Sequence, residues 1–440
     1  MQYYIQILVV ILLPVLLPAQ AFDSLIHEAW KNNPAAQARN FELEAATAGI
    51  SEAKALYGPT ANFGIQYSLA RGGRSINLPI GDLLNPVYAT LNQLTQSQSF
   101  PQIANTKEQF LPDNFYDAKV RIMQPVYYPD LALNKMVQKN QAEIKKLEIR
   151  AFRRLLARDI MQAAIQYNSA QYAIAIYAST DTLLQEAKRV NNSMIRNGMT
   201  LPSAQNRIED QITSVHAQQT ELSAQQQNAL DYLAVLIGKN IHAADVRNIS
   251  TTALPPLPPK PSAQREEIQQ LDHAIEMRKL SVQKENQFYI PRIGAQLDLG
   301  SQAFNFGFSP YALLGINVDL NLYDNKKHQW RKSAAQAQVN SLESERTYAI
   351  QQTDMLQMSS IRNLGSAIEQ AKAFEQRITT SEKTYREVLS RYKQGMSSYI
   401  ELLDAQEQWT QARLRTSMAI QNAWLKWSEY IYNAAIYPVE

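Results

Sequence analysis

The sequence contains no cysteine among its 440 residues. This absence excludes disulfide bonds, thiolate metal sites, a cysteine nucleophile and a lipid-modified cysteine at a mature amino terminus. Glycine is also scarce, with 14 residues, whereas glutamine and alanine are abundant. Such a composition favours long helices over a large sandwich of short strands. The net charge of +3 is too small to indicate binding to nucleic acid.

Patterns that would indicate catalysis are missing as well. The sequence has no nucleophile elbow, phosphate loop or dinucleotide fingerprint in the required strand and helix context. Its histidines lie far apart, without the spacing of metal ligands: His27, His216, His242, His273 and His328. The sequence therefore predicts neither an enzyme nor a bound cofactor or metal.

The sequence also lacks a long apolar helix. Beyond Phe22 no stretch approaches the roughly 20 apolar residues of a membrane helix, so any membrane crossing must be made by β-strands. The apolar run Ile5 to Leu17 is too short to span a bilayer, and Ala19-Gln20-Ala21 supplies a cleavage site for signal peptidase. Residues 1–21 are thus predicted to be a signal peptide. Because no Lys or Arg precedes the apolar run, a short uncleaved anchor stays open as an alternative.

The chain contains two copies of one pattern, at 22–253 and 264–440. Each copy reads as helix, strand, strand, long helix, turn and returning helix. Between the copies, the proline-rich segment 254–263 predicts an extended linker, with a polyproline ligand for a partner protein as the alternative. The fold class predicted is therefore mainly α, built from two repeats.

Four segments alternate between apolar and polar residues, at about 60–70, 116–126, 291–300 and 311–322. The last alternates most regularly, with apolar residues at Leu314, Ile316, Val318, Leu320 and Leu322. Alternation over roughly 9 to 11 residues is typical of strands in a transmembrane barrel. For a single strand, a soluble antiparallel sheet with one wet face would explain the pattern equally well. Four such strands after a signal peptide favour the membrane barrel.

Each pair of strands is followed by a very long helical segment, at about 130–197 and 325–394, spanning roughly 100 Å at 1.5 Å per residue. The helices are predicted to end at Gly198 and Gly395, before returning helices at about 202–238 and 398–435. The second long segment carries a heptad pattern, which indicates coiled-coil packing, at Ile361, Leu364, Ile368, Ala371, Ile378, Tyr385, Leu389 and Tyr392.

The copies differ at residues 71–112, which lengthen the connection between the first two strands. This segment carries Gly72-Gly73 and several prolines, so it is predicted to be an enlarged loop. A small inserted plug or a disordered arm is the alternative.

This order of elements resembles the TolC-like outer membrane efflux proteins. The motifs that carry the resemblance are Asn32-Asn33-Pro34, Gln124-Pro125-Val126-Tyr127, and Arg391-Tyr392-x-x-Gly395 followed by Glu401-Leu402-Leu403-Asp404-Ala405-Gln406. The resemblance covers nearly the whole chain after residue 21. It implies a homotrimer with one shared 12-stranded barrel in the outer membrane and a long helical tunnel across the periplasm. Four strands per chain agree with this, since the smallest barrels need about eight.

The resemblance also implies the function and the partners. Such a protein is the passive exit duct of a tripartite efflux or type I secretion system, serving a periplasmic adaptor and, through it, an inner-membrane transporter. A periplasmic coiled-coil adaptor or scaffold without a pore is the alternative, because it would share the long helices. It would not need four alternating strands.

In the family, acidic residues after the glycine of the second helical turn narrow the periplasmic entrance. The matching residues are Glu401 and Asp404, while Tyr392 is expected in the closing contact. Threefold symmetry would gather six carboxylates into a ring that favours cations. Two solvated acids on an outer helix face are the alternative. Ser397 and Ala204 stand where the family's best-known member has an arginine and an acid in its entrance lock.

Overall fold

The computed structural model describes residues 20–247, 249–259 and 264–439. The predicted signal peptide, residues 1–21, lies outside this range except for its last two positions. The described chain divides into two compact units. The helical unit takes in the described residues of 1–47, 140–278 and 337–440, and the sheet unit takes in residues 48–139 and 279–336.

The elements follow the order that the repeat pattern predicts, with additions in the first repeat. They are α1 (Gln20–Asn32), α2 (Pro34–Ala55), β1 (Thr60–Ser68), β2 (Ser75–Leu78), α3 (Ile80–Thr95), β3 (Thr106–Gln109), β4 (Phe115–Tyr127), α4 (Pro129–Arg196), α5 (Ser203–Ile237), α6 (Ala243–Arg247), α7 (Glu266–Asn286), β5 (Arg292–Phe304), β6 (Pro310–Asp319), α8 (Lys327–Lys393) and α9 (Tyr399–Asn433). The long helices α4 and α8 have 68 and 67 residues, and the returning helices α5 and α9 have 35 each. The prediction of a mainly α chain with two repeats is confirmed.

The four predicted strands form one antiparallel sheet in the order β1-β4-β5-β6. Its register aligns the apolar residues of all four strands on one face, as in the row Ile122, Leu297 and Leu314. On β1 and β6 these side chains are exposed, for example those of Phe63 and Ile316. Since β1 and β6 are the edge strands, the sheet also has two unpaired edges within the described chain.

The opposite face of the sheet is polar and carries charged side chains that pair with one another. Arg121 on β4 donates two hydrogen bonds to Asp298 on β5, at 2.9 and 2.8 Å. Lys119 pairs with Asp117, whose carboxylate also accepts a hydrogen bond of 2.8 Å from Tyr311 of β6. The alternation of apolar and polar residues in the sequence therefore corresponds to an apolar and a polar face of the sheet.

The segment 71–112 is not the plain loop that the sequence predicts. It folds as β2, α3 and β3, with β2 and β3 paired antiparallel from Ser75 opposite Gln109 to Leu78 opposite Thr106. Its prolines indicated a loop, but Pro79 stands just before α3 and Pro86 lies within the helix. Pro79 costs little, because proline suits the start of a helix, whereas Pro86 removes one backbone hydrogen bond from the helix interior and is tolerated there.

Other boundaries differ from the predictions for local reasons. The first helix is interrupted at Asn33, whose side-chain Oδ1 accepts hydrogen bonds from the backbone of Ala35 and Ala36 and so caps α2, with Pro34 as its first residue. β6 ends at Asp319 rather than near 322, and Asn325 and Lys326 then adopt positive φ angles of 55° and 66° before α8 begins. Helix α6 was not predicted.

The helical unit holds the main apolar core. Helices α1, α4, α5, α8 and α9 contribute fully buried side chains, among them Ile26, Ile160, Leu233, Leu364 and Trp427. Within the described residues, no helix is both long enough and apolar enough to cross a membrane.

The linker predicted at 254–263 is described as far as residue 259, and that part has no regular secondary structure. Its chain lies against α9, because Trp424 Nε1 donates to the carbonyl of Ala253 at 2.7 Å and Tyr430 donates to that of Pro259 at 3.4 Å. Residues 260–263 lie outside the described residues.

Arg154 forms a buried ion pair with Glu266 inside the helical unit. Its guanidinium donates to both carboxylate oxygens, at 2.6 and 3.2 Å, and to the carbonyl of Tyr437 at 2.6 Å. We expect Arg154→Met to lower the free energy of unfolding by about 3–5 kcal/mol, because Glu266 would stay buried without a partner. Thermal and urea unfolding followed by circular dichroism would measure the loss.

Two further variants give this prediction its controls. Arg189→Met removes the exposed pair with Glu186, and we expect a loss of about 1 kcal/mol or less. Arg154→Met combined with Glu266→Met should recover most of the loss. Equal effects of Arg154→Met and Arg189→Met would contradict the assignment.

Candidate entrance of the helical unit

The two long helices end in the same kind of turn. Gly198 after α4 and Gly395 after α8 have φ angles of 70° and 74°, in the left-handed region that favours glycine. In each turn a backbone N–H reaches back five residues, from Met199 to Met194 and from Met396 to Arg391, both at 2.9 Å. This is the Schellman arrangement, so the two predicted turns are structurally equivalent.

Helix α9 begins with a cap that involves one of the two candidate acids. Ser398 is the N-cap residue, and its hydroxyl accepts a hydrogen bond of 3.3 Å from the backbone N–H of Glu401. The Glu401 carboxylate accepts a hydrogen bond from the hydroxyl of Ser397. Glutamate three residues after a serine cap also favours the helix start. Glu401 therefore has a local role in the turn, beside any role toward solutes.

Asp404 lies one turn further along α9, on the same face as Glu401. Both side chains are exposed, and Asp404 accepts a hydrogen bond of 2.8 Å from Gln408. Among the described residues, neither carboxylate has a cationic side chain within 4 Å. Two adjacent negative charges thus stand beside the turn without a direct ion pair, although Arg377 and Arg415 line the same groove as Asp404.

Tyr392, the third predicted residue, is buried. Its hydroxyl donates a hydrogen bond of 3.0 Å to Oδ1 of Asn191 on α4, and Asn191 is also fully buried. Burial raises the pKa of the Tyr392 phenol, so the hydroxyl keeps its proton and acts as a donor. This bond joins the end of α8 to the end of α4.

The hydrogen bonds continue from Asn191 onto α5. Its side-chain Nδ2 donates to Oε1 of Gln205 at 3.3 Å, and Gln205 Nε2 donates to Glu209 at 2.9 Å. Lys188 of α4 then pairs with Glu209 at 2.9 Å. Tyr392, Asn191, Gln205, Glu209 and Lys188, here called the turn network, link three helices beside the two turns.

An apolar cluster surrounds the buried end of the turn network. Its buried members come from α4, α8 and α9: Ala187, Met194, Tyr385, Tyr392, Leu402 and Ala405. Tyr385 stacks on Trp409, with ring centroids 5.1 Å apart and planes inclined by 22°. Burial, with a smaller contribution from Glu186, raises the pKa of the Tyr385 phenol.

Sequence reasoning identified Tyr392, Glu401 and Asp404 but missed Asn191 and Gln205. A signal for Asn191 was present, because it falls in register with buried Leu184, Ala187 and Met194 on one stripe of α4. A polar residue at such a position needs a hydrogen-bond partner inside the protein.

The best-known member of the resembling family has polar lock residues at the positions of Ala204 and Ser397. Here neither residue links the two turns, because Ala204 is buried and Ser397 bonds within its own turn.

Within the described parts of the chain, no group of three or more His, Asp or Glu residues is placed to hold a metal ion.

The family model described as outer membrane efflux protein matches residues 257–434, which include α8, the second turn and α9. The second repeat of the chain thus resembles the outer membrane efflux protein family. The predicted resemblance is thereby confirmed. The matched residues include Tyr392, Gly395, Glu401 and Asp404.

Solved structures extend the likeness in fold to the first repeat. VceC, an outer membrane protein of Vibrio cholerae, is 13% identical with a TM-score of 0.71, covering 94% of this chain and 96% of that one. The CmeC outer membrane channel of Campylobacter jejuni is 13% identical with a TM-score of 0.72, covering 94% and 85%. The open state of the MtrE outer membrane channel of Neisseria gonorrhoeae is 15% identical with a TM-score of 0.70, covering 94% and 88%. At these identities the likeness shows the fold. No curated protein sequence matches the chain.

Proposed function

We propose that this protein is a trimeric exit duct of the outer membrane, through which substrates pass passively from a periplasmic adaptor and its inner-membrane transporter to the outside. The observation that carries the proposal is the exposed apolar face of the four-stranded sheet. Strands of 9 to 13 residues suit a membrane barrel, in which lipid covers one face and water the other.

Aromatic residues at both ends of the sheet support the same assignment. One end exposes Phe306 and Phe308, whereas the other end exposes Tyr57, Tyr127, Tyr289 and Tyr323. Aromatic girdles at the two membrane interfaces are typical of outer-membrane barrels. Lipid of the outer membrane is therefore one partner in the proposal.

The edges of the sheet support a trimer. Strands β1 and β6 run in opposite directions, so β1 of one copy can pair antiparallel with β6 of the next and repeat the order of the sheet. Three copies would give twelve strands, an even number, and would leave no unpaired edge. The long helices would then form the periplasmic tunnel.

In this proposal the two helical turns form the periplasmic entrance. Glu401 and Asp404 are the selectivity residues, and the glycine turns at Gly198 and Gly395 form its rim. The hydrogen bond from Tyr392 to Asn191 is the closing contact. Its rupture would let α8 and α9 move away from α4, which dilates the entrance.

Cysteine cross-linking tests the trimer directly, because the chain has no cysteine of its own. Asn62→Cys on β1 is combined in turn with Leu313→Cys, Gly315→Cys or Asn317→Cys on β6. These positions share one face of the sheet according to its register. We expect at least one pair to form disulfide-linked dimers and trimers on a non-reducing gel.

The matched control is Asn62→Cys with Gln296→Cys on the central strand β5, which cannot meet a neighbouring copy. Purified outer membranes are the starting material, with extraction by detergent. If no β1 and β6 pair links, or if the protein is released without detergent, the duct proposal fails and the periplasmic scaffold is favoured.

A further inference from the structure

Residues 71–112, which contain β2, α3 and β3, are here called the insertion. Its helix α3 is held to the rest of the insertion by its polar face. Asn85 exchanges two hydrogen bonds with the backbone of Ile103, at 2.8 and 2.9 Å. Asn92, two turns later, does the same with the backbone of Phe100, at 3.0 and 2.7 Å. Each asparagine side chain binds both the backbone N–H and the backbone carbonyl of one residue. The segment 100–103 is therefore held along one side of the helix.

The other side of α3 is apolar and exposed. Leu83 and Leu94 are 69% and 77% exposed, and Ile80, Leu84 and Val87 are exposed beside them. These positions recur every three to four residues and therefore form one stripe, here called the α3 stripe. An ordinary surface helix buries its apolar stripe and exposes its polar side. The reversed arrangement indicates that something else covers the α3 stripe.

The composition of α3 argues against a lipid surface as that cover. Helices that lie on membranes carry lysine and arginine on their polar side, which bind anionic headgroups. Helix α3 contains neither, and Asp82 is its one charged residue. A protein surface is therefore the better fit.

The position of the insertion in the sheet unit indicates which protein surface covers the α3 stripe. The insertion leaves the sheet at the end of β1, which is an edge strand. The hairpin between β5 and β6 lies at the same end of the sheet, and β6 is the other edge strand. When β1 pairs with β6 of the next copy, the insertion of one copy lies beside the hairpin tip of its neighbour.

That hairpin tip is held to its own sheet at Phe306 and Gly307 and is apolar. The carbonyl of Gly307 accepts a hydrogen bond of 2.6 Å from Tyr116, and Phe306 stacks on Tyr67 with ring centroids 5.5 Å apart. Phe308, next to this fixed segment, is 80% exposed. An exposed aromatic ring beside a fixed segment is the kind of residue that anchors protein interfaces.

We propose that the α3 stripe packs against the hairpin tip around Phe308 of the neighbouring copy of this chain. The inference rests on the proposed trimer, and it adds to the barrel a second contact between copies that the shorter connection of the second repeat does not provide. The insertion is thus a clasp between adjacent copies.

Cross-linking of Leu83→Cys with Phe308→Cys in the full-length protein tests the contact, with the β1 and β6 pair as an independent report on the trimer. We expect both pairs to link copies, and Leu83→Cys alone to be shielded from a water-soluble maleimide in the detergent-solubilised trimer. If the β1 and β6 pair links while Leu83 and Phe308 do not, and Leu83→Cys reacts freely, the clasp is wrong and the duct proposal stands. If neither pair links, both fail.

A second variant measures the contribution of the clasp. Leu83→Asp with Val87→Asp places charges on exposed positions, so the chain itself should fold. We expect the trimer to dissociate to monomers on a heated gel at a temperature several degrees lower. Gln93→Glu, which adds a charge at an exposed position of the same helix outside the α3 stripe, is the control and should leave that temperature unchanged. Equal behaviour of the stripe variant and the wild type would overturn the clasp.

Discussion

Replacing Glu401 by Gln and Asp404 by Asn together is expected to remove the cation selectivity of the duct. Two exposed carboxylates per chain give six in a trimer, and none forms a direct ion pair among the described residues. Charges separated by less than the Debye length of about 8 Å act together on a passing ion. We expect the ratio of potassium to chloride permeability to fall about tenfold or more, which corresponds to about 1.4 kcal/mol. Reversal potentials in salt gradients across planar bilayers would measure it.

The control for this variant is Glu369→Gln, which removes the same charge from an exposed position on α8. Glu369 pairs with Lys372 and lies 26 positions before Gly395, roughly 40 Å along the helix. Its loss should leave selectivity nearly unchanged. If the double variant keeps wild-type selectivity, Glu401 and Asp404 are solvated acids whose role is confined to the start of α9.

Replacing Tyr392 by Phe is expected to shift the entrance toward its open state. The variant removes one hydroxyl and leaves Oδ1 of buried Asn191 without the donor that now lies at 3.0 Å. An unsatisfied buried acceptor costs about 1–3 kcal/mol, which corresponds to about 5- to 150-fold in the balance between two states. That cost destabilises the closed arrangement, in which the acceptor is buried. We expect the open probability of single channels to rise within this range.

Tyr385→Phe provides a matched control. Tyr385 is also buried on α8 and belongs to the same apolar cluster, but among the described residues its hydroxyl has no hydrogen-bond partner. The same substitution there should leave the open probability unchanged. Asn191→Leu, which removes the acceptor, should act in the same direction as Tyr392→Phe. Equal open probabilities in the wild type and both network variants would show that the turn network does not hold the entrance.

Much of the fold could be predicted from the sequence because its signals are periodic and repeated. Alternation with a period of two placed all four strands of the sheet, and the register then joined Ile122, Leu297 and Leu314 on one face as the pattern indicated. The glycines at 198 and 395 marked the helix ends, since both positions need a left-handed backbone. These features depend on local residues alone.

The insertion could not be predicted, because tertiary contacts override its local signals. Pro79 and Pro86 favour a loop when read alone, yet α3 forms there because Asn85 and Asn92 bind a segment that returns 8 to 18 residues later. The turn network was missed for a related reason. Asn191 and Tyr392 are 201 positions apart, and only the packing of α4 against α8 brings them together.

The candidate site was therefore predictable in part. The resemblance supplied Tyr392, Glu401 and Asp404 by position, but the roles of Ser397 and Ala204 depended on what the side chains contact. Ser397 supports Glu401 within its own turn, and the link between the turns uses Asn191 instead.

The central claim is that this protein forms a gated pore, and single-channel recording from the purified trimer in planar bilayers tests it most directly. Wild type and Tyr392→Phe are recorded side by side, so that a closed entrance cannot conceal a pore. The account predicts a small cation-selective conductance for the wild type and more frequent or longer openings for Tyr392→Phe. A folded trimer that conducts in neither form would contradict it.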